Sequence, residues 1–280
     1  MRTWHRITAR PPEEPADWSP WAEVFSDFGC PSSQVLSNPP AIEGYLEDAP
    51  GAAERASELA ERLRALGALV ETAVVPDEDW SETWKRFFKP FRVGERLVIR
   101  PSWDRCSLRP GDVEVEIDPG QAFGTGDHPT TRLCLRLLAS LPWDGLRVAD
   151  VGCGSGILGI AAAKLGAAEV VGVDIEEASV EVARENARRN GVSCRWIVGD
   201  GFEPLAGETF DAAFSNIISA VLIRIAPDAA KAVRRGGLWI VSGVIEANWP
   251  DVLRAAETAG FGPKEVQREG EWLAAVLQRL

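Results

Sequence analysis

The sequence has few of the residues that build disulfide frameworks and zinc sites. Its 280 residues include 5 cysteines and 2 histidines. The cysteines are an odd number, lie far apart and form no C-x-x-C pair, so the pattern predicts neither a disulfide framework nor a zinc cluster. We therefore expect no bound metal and a chain whose thiols stay reduced, as they do in the cytosol.

Long apolar runs are also missing. The first residues, MRTWHRITARPPEEP, lack the apolar stretch of a signal peptide, and no window approaches the roughly 18 apolar residues that a membrane span requires. These absences predict a cytoplasmic protein. A length of 280 residues favours two domains, since a domain takes roughly 150 residues.

Positive charge is scarce as well. The chain has 30 Lys and Arg against 42 Asp and Glu, which gives a formal net charge of −12. Because nucleic-acid binding depends on basic side chains, we expect no direct nucleic-acid binding and favour a basic partner. The imbalance is concentrated at the front, where residues 1–75 carry 6 basic and 12 acidic side chains.

Residues 1–75 predict a small α+β domain. Its clearest element is a helix over 53–66, where apolar residues recur at helical spacing and Gly67 follows as a cap. The sequence further predicts one more helix and four strands, over 18–28 and over 4–9, 34–36, 41–47 and 68–75. The order strand, helix, strand, strand, helix, strand is the ferredoxin-like plan.

Residues 76–118 are predicted to connect this domain to the rest. A short helix over 77–88 carries several aromatic side chains on one side, for which we predict packing between the domains. Two strands are predicted after it, over 95–99 and 113–117.

Residues 119–280 predict a second, α/β domain. From Gly145 onward strands and helices alternate, which is typical of a mostly parallel sheet with helices on both faces. The last two predicted strands, 264–268 and 272–278, are too close for a crossover helix and must form an antiparallel hairpin. A seven-stranded, Rossmann-like sheet that ends in this way resembles the class I methyltransferase fold.

The strongest chemical signal is DVGCGSG, which follows the first strand of this domain. Glycines at Gly152, Gly154 and Gly156 let the backbone turn sharply and approach a ligand. Asp174 ends the next strand, where a carboxylate can accept hydrogen bonds from ribose hydroxyls. A dinucleotide loop usually has its third glycine five residues after the first, and here the interval is four, which resembles an S-adenosylmethionine loop. Asp200, after the third strand, is a candidate acceptor for the adenine amino group.

Two further strings make the resemblance specific. FGTGDHPTT spans residues 123–131, and SNII follows the fourth strand at 215–218. Together with the glycine loop they are similar to the PrmA family of ribosomal-protein methyltransferases, over about residues 77–280. The resemblance implies that Phe123 covers a bound S-adenosylmethionine, which is contacted by Thr131, Gly152, Asp174 and Asn216.

The sequence does not identify the residue that accepts the proton of the methylated group. In related amide and adenine methyltransferases the fourth strand ends in Asn-Pro-Pro-Tyr, whereas isoleucines follow Asn216 here, which favours an aliphatic amine as the methyl acceptor. A histidine beside a proline, such as His128, more often caps a helix or packs than acts as a base. Asp127, His128 and Asn216 are the candidates, and the sequence does not choose among them.

The resemblance implies an S-adenosylmethionine-dependent protein N-methyltransferase. Its expected substrates are lysine side-chain or N-terminal amines of large-subunit ribosomal protein eleven, free or on the ribosome, and residues 1–75 are expected to recognise that protein. We expect a monomer. The alternatives are a related protein-lysine methyltransferase acting on another basic protein, a module that binds the methyl donor without turnover, and a dinucleotide-dependent oxidoreductase.

Overall fold

The structure of the chain is a computed structural model. It describes residues 3–13, 15, 18–30, 33–37, 39–76, 88–118, 126 and 128–280. The chain forms two compact units, Met1–Phe87 and Phe88–Leu280. Apart from Phe88, the helix predicted over 77–88 lies outside the described residues, as do Phe123 and Asp127. The two strands predicted for the connecting segment fall within the second unit.

In its described residues, the first unit is a four-stranded antiparallel sheet with two helices. In chain order its elements are β1 (Thr3–Arg10), α1 (Ser19–Asp27), β2 (Ser33–Ser37), β3 (Pro40–Glu47), α2 (Ala52–Ala65) and β4 (Leu69–Pro76). The strands are arranged β2-β3-β1-β4. Alternate residues of the strands, such as Ile7 and Ile42, form a buried core with Phe25 of α1 and Leu59 of α2. Phe25 lies over Gly44, where a β-carbon would come within 2.4 Å of its ring.

The second unit begins with a small three-stranded sheet. Its strands are β5 (Phe91–Val93), β6 (Leu97–Arg100) and β7 (Val113–Glu116), of which β5 and β6 are antiparallel and β6 and β7 parallel. The sequence analysis missed β5, because three residues are too few to show a period-two pattern. Arg100 is buried beside β7 and pairs with Glu114 and Glu116.

The second sheet of this unit has seven strands in the order β10-β9-β8-β11-β12-β14-β13. Strands β8 to β12 are mutually parallel, and β14 runs antiparallel to both β12 and β13. The strands are β8 (Arg147–Val151), β9 (Glu169–Asp174), β10 (Arg195–Val198), β11 (Phe210–Asn216), β12 (Val233–Ile245), β13 (Phe261–Glu269) and β14 (Trp272–Arg279). The helices are α3 (Pro129–Ser140), α4 (Ile157–Lys164), α5 (Glu177–Arg189), α6 (Ser219–Ala232) and α7 (Trp249–Thr258).

Helices pack on both faces of this sheet, as the unbroken apolar strands require. On β11, Ala213 joins the buried cluster that includes residues of α6 and α7, whereas its neighbour Phe214 packs against Trp143 on the opposite face, with ring centroids 5.2 Å apart. Within the described part of the chain, no helix has the length and apolarity needed to cross a bilayer. The same part contains no group of three His, Cys, Asp or Glu placed as metal ligands.

Candidate active site

A cavity of about 520 Å³ lies at the carboxyl ends of the parallel strands. The chain proceeds from β8 to β9 and β10 on one side of the sheet and from β11 to β12 on the other, so the direction of progression switches between β8 and β11. Open α/β sheets bind ligands at such a point. Along the sheet the lining runs from Asp174 through Gly152 and Asn216 to Trp272.

The glycine loop adopts a backbone conformation that is unfavourable for residues with a β-carbon. Gly152, Gly154 and Gly156 have φ angles of +78°, +52° and +79°. A β-carbon on Gly152 would lie 2.3 Å from Cγ2 of Ile217, the residue that follows β11. The loop is therefore packed directly against the β11 segment, and only glycine at position 152 permits this approach.

Asp150, in the strand before the glycine loop, is hydrogen-bonded to the helix that follows the loop. Its side chain is buried, and its Oδ2 accepts a hydrogen bond from the backbone N–H of Gly159 in α4 at 2.8 Å. The pKa of Asp150 is raised to about 7, mainly by burial and also by the nearby Asp174 carboxylate, whereas the hydrogen bond from Gly159 acts in the opposite direction. The titratable carboxyl of Asp150 thus connects the end of β8 to α4.

Asp174 lies where the sequence predicted a ribose-binding carboxylate. Its Oδ2 accepts from the N–H of Gly154 at 2.8 Å, and its Oδ1 accepts from the N–H of Glu176 at 3.1 Å. Two backbone donors fix the carboxylate at the cavity wall, and each carboxylate oxygen keeps a lone pair for a further donor. The neighbouring Ile175 is 68% exposed and also lines the cavity, where it offers an apolar surface.

Asp200 lines the same cavity but already has a cationic partner. Its two carboxylate oxygens accept from Arg224 at 2.8 and 2.9 Å, and this bidentate pairing lowers the pKa of Asp200. The sequence analysis missed Arg224, because nothing in the spacing of the two residues links them. An adenine amino group would share the Asp200 carboxylate with this guanidinium.

Asn216 ends β11, and its side-chain nitrogen and oxygen differ in whether they have a hydrogen-bond partner. Its Nδ2 donates to Oγ1 of Thr131 at 3.3 Å. Its Oδ1 is buried and has no hydrogen-bond donor among the described residues. A buried acceptor without a donor is costly unless a ligand supplies one.

His128 caps α3 and packs against an aromatic ring. Its Nδ1 accepts from the backbone N–H of Thr130 at 3.3 Å and lies 2.7 Å from Oγ1 of the same residue. Its ring meets Trp272 edge to face at 4.9 Å. Both observations match the capping and packing behaviour that was predicted from the sequence.

Trp272 lines the cavity but was not predicted as a site residue. It begins β14, and the preceding turn is anchored by Glu269, which pairs with Arg132 and, at 2.8 Å, with Arg136 of α3. The signal available in sequence was an aromatic residue directly after a hairpin turn. The turn places its ring in the lining of the cavity, beside His128.

These residues fit S-adenosylmethionine. Asp174 offers carboxylate oxygens to ribose hydroxyls, the glycine loop lines the same cavity, and Asn216 Oδ1 is a buried acceptor with no donor among the described residues. The implied contacts Thr131, Gly152, Asp174 and Asn216 are all brought together in one cavity. The covering role of Phe123 concerns a residue outside the described part.

Comparison with protein-family models matches residues 21–280 to the model described as ribosomal protein L11 methyltransferase (PrmA). A protein named ribosomal protein L11 methyltransferase from Pelotomaculum thermopropionicum is 42% identical over 254 residues, covering 89% of this chain and 82% of its own. A protein of the same name from Chloroflexus aurantiacus is 43% identical over 244 residues, covering 78% and 74%.

Two solved structures are similar as well. The ribosomal protein L11 methylase of Lactobacillus delbrueckii has a TM-score of 0.63 and 30% identity, covering 69% of this chain and 98% of its own. The 16S rRNA N2 G1207 methyltransferase of Thermus thermophilus, solved with AdoMet and guanosine, has a TM-score of 0.50 and 24% identity, covering 57% and 45%. The second likeness concerns the fold alone, and together the two confirm the predicted class I methyltransferase fold.

Proposed function

The chain belongs to the ribosomal protein L11 methyltransferase family, and on this premise we propose that it methylates lysine side-chain and N-terminal amines of ribosomal protein L11. Family membership confirms an S-adenosylmethionine-dependent methyltransferase, the reading that the sequence analysis preferred to a dinucleotide-dependent oxidoreductase. The amines and the protein substrate are the parts that we propose.

One observation carries the proposal: Oδ1 of Asn216, which lines the cavity, is buried and has no hydrogen-bond donor among the residues that the structure describes. We call the part lined by Gly152, Gly154 and Asp174 the cofactor end, and the part lined by Asn216, His128 and Trp272 the acceptor end. Asp174 and Trp272 belong to β9 and β14, which are four strand positions apart, or roughly 19 Å at the usual strand spacing. This span accommodates a nucleoside-containing cofactor and an incoming side chain in line.

When bound, S-adenosylmethionine supplies an electrophilic methyl group on a sulfonium. The task of the protein is to hold the attacking nitrogen in line with that methyl group, because alignment supplies much of the rate of a displacement. Asp174 fixes the ribose, the glycine loop gives room for the methionine part, and Asn216 Oδ1 accepts a hydrogen bond from an amine N–H.

An amine must lose its proton before it attacks. For lysine, with a pKa near 10.4, this costs about 4.6 kcal/mol at pH 7. Partial burial in the apolar acceptor end, against Trp272 and Ile217, disfavours the ammonium form and lowers that cost. Isoleucines beside Asn216, in place of a planar Pro-Pro-Tyr wall, leave room for an aliphatic chain and favour lysine over an amide or a base.

For the first unit we propose a ferredoxin-like domain that recognises the substrate. Its strand order and its two helices correspond to that plan. Residues 1–75 carry 6 basic and 12 acidic side chains, a balance that attracts a basic ribosomal protein. Such attraction is screened by salt, so KM for the protein substrate should rise with ionic strength while S-adenosylmethionine affinity changes little.

Labelled S-adenosylmethionine incubated with the enzyme and separated large-subunit ribosomal proteins tests the proposal. We expect label in L11, and peptide mass spectrometry should place it on lysine side chains or on the N-terminal amine. A reaction from which the enzyme is left out is the control for background transfer. Label confined to another basic protein would replace L11 with that protein, and label on side-chain amides would overturn the choice of acceptor.

A further inference from the structure

Helix α5 carries a buried asparagine that none of the preceding roles explains. Asn186 is fully buried in a helix whose outer residues are charged. A buried amide is costly unless both its donor and its acceptor are satisfied, and it is therefore rarely placed in a core without a task.

Both polar atoms of Asn186 are satisfied by backbone groups from distant parts of the chain. Its Nδ2 donates to the carbonyl oxygen of Ser155, in the middle of the glycine loop, at 2.9 Å. Its Oδ1 accepts from the N–H of Asp118 at 2.9 Å. Because one partner is an acceptor and the other a donor, the amide satisfies both only in this orientation.

One turn further along, Asn190 contacts the same stretch of backbone. Its Oδ1 accepts from the N–H of Glu116 at 2.9 Å, and its Nδ2 donates to the carbonyl oxygen of Glu116 at 2.6 Å. Residues four apart lie on one face of a helix. The amides of Asn186 in α5 and of Asn190, which caps the end of α5, therefore bond to β7 and to the residues that follow it, but only Asn186 also bonds to the glycine loop.

We propose that Asn186 is a positioning residue for S-adenosylmethionine binding, holding the Ser155 carbonyl and the Asp118 N–H at a fixed spacing. Ser155 lies between Gly154, whose N–H binds Asp174, and Gly156, which precedes α4. Asp118 directly precedes residues 119–127, which contain the FGTG string. Asn186 thus ties the cofactor loop to the start of that segment through α5.

Replacing Asn186 with leucine keeps the approximate volume and removes both hydrogen bonds. We expect the Kd for S-adenosylmethionine, measured by calorimetry, to rise about tenfold, as loss of roughly one buried hydrogen bond to the loop implies. Asn190→Leu is the matched control, because it leaves two groups of Glu116 without partners but does not touch Ser155. Its Kd should stay within about twofold of the wild type, although both variants lower the unfolding midpoint.

A second variant keeps the proposal testable if Asn186→Leu fails to fold. In Asn186→Asp a protonated carboxyl can still donate to Ser155, whereas the carboxylate presents only acceptors to it. The ratio of its Kd to that of the wild type should therefore increase as the pH rises from 6 to about 9. Wild-type affinity in both Asn186 variants, or an equal loss in Asn190→Leu, would overturn the proposal. It rests on the cofactor and needs no protein substrate, so its failure is distinct from a failure to label L11.

Discussion

The two ends of the cavity are built in different ways. The cofactor end is made by short stretches of chain, since the glycine loop follows β8, Asp174 ends the adjacent β9, and the N–H of Gly154 donates to the Asp174 carboxylate. The acceptor end is assembled from side chains of three distant segments, His128, Asn216 and Trp272. The first depends on backbone shape, and the second depends on packing between elements far apart in sequence.

The two ends meet at Ile217. This residue lies between two glycines of positive φ, and a β-carbon on Gly152 would reach its Cγ2 at 2.3 Å, while one on Gly243 would reach its carbonyl oxygen at 2.4 Å. Gly243 falls in the register shift between β12 and β14. The position of Ile217 therefore sets the distance between the cofactor loop and the acceptor end.

The largest expected effect comes from Gly152→Ala. The new methyl group clashes with Ile217 in addition to the left-handed backbone strain of about 1–2 kcal/mol. We expect the Kd for S-adenosylmethionine to rise about 100-fold or more, which corresponds to about 3 kcal/mol.

Gly145→Ala is the control, because Gly145 has a similar φ of +75° and nothing within 4 Å of a β-carbon. It should lose stability without losing cofactor affinity. The double variant Gly152→Ala with Ile217→Ala should recover part of the affinity. Equal cofactor losses in the two alanine variants would show that strain, and not contact with the acceptor end, governs the loop.

The next largest effect is expected from substitutions of two acidic residues of the cavity lining, Asp174 and Asp200. Asp174→Asn removes a charged acceptor for ribose hydroxyls and should raise the Kd about thirtyfold, near 2 kcal/mol. Asp200→Asn should raise it only about threefold, because Arg224 already occupies the Asp200 carboxylate. Calorimetry on both variants measures the difference, and an equal loss would establish Asp200 as the adenine acceptor that the sequence analysis predicted.

Substitution of Trp272 tests whether the acceptor end contributes to binding of the protein substrate independently of cofactor binding. Trp272→Ala should raise KM for the protein substrate about tenfold, because an aromatic ring at this position packs on the amine-bearing chain. Its Kd for S-adenosylmethionine should be unchanged, and Trp272→Phe should retain most of the activity. A cofactor affinity that falls in step with KM would show that the two ends are one site in energetic terms.

A smaller effect is expected from the buried carboxyl beneath the loop. The raised pKa of Asp150 means that the folded state binds its proton more tightly than the unfolded state. The corresponding stability is complete at low pH and is lost as the pH rises towards about 7, at no more than about 1.4 kcal/mol per pH unit. Asp150→Asn should flatten this dependence in denaturant titrations at pH 5, 6, 7 and 8. A wild-type slope in the variant would contradict the assignment.

The residues of the cofactor end could be predicted from the sequence more fully than those of the acceptor end. The glycine spacing and the strand-end Asp174 are local patterns, and the structure brings them together in one cavity. The positions of Ile217 and Trp272 depend on how β12 pairs with β11 and how β14 pairs with β12, which sequence spacing does not encode. Asn186 looks like an ordinary helix residue until its partners at Asp118 and Ser155 are known.

The smallest expected effect concerns His128, which belongs to the acceptor end. His128→Ala removes the acceptor for the Thr130 N–H and should cost about 1 kcal/mol of stability, the usual cost of losing a helix cap. His128→Asn keeps a capping side chain and should restore most of that stability. Because the Nδ1 atom of His128 is engaged by Thr130, we expect kcat and its pH profile to match the wild type in His128→Asn. Loss of the alkaline or acidic limb of that profile would instead make His128 the proton acceptor.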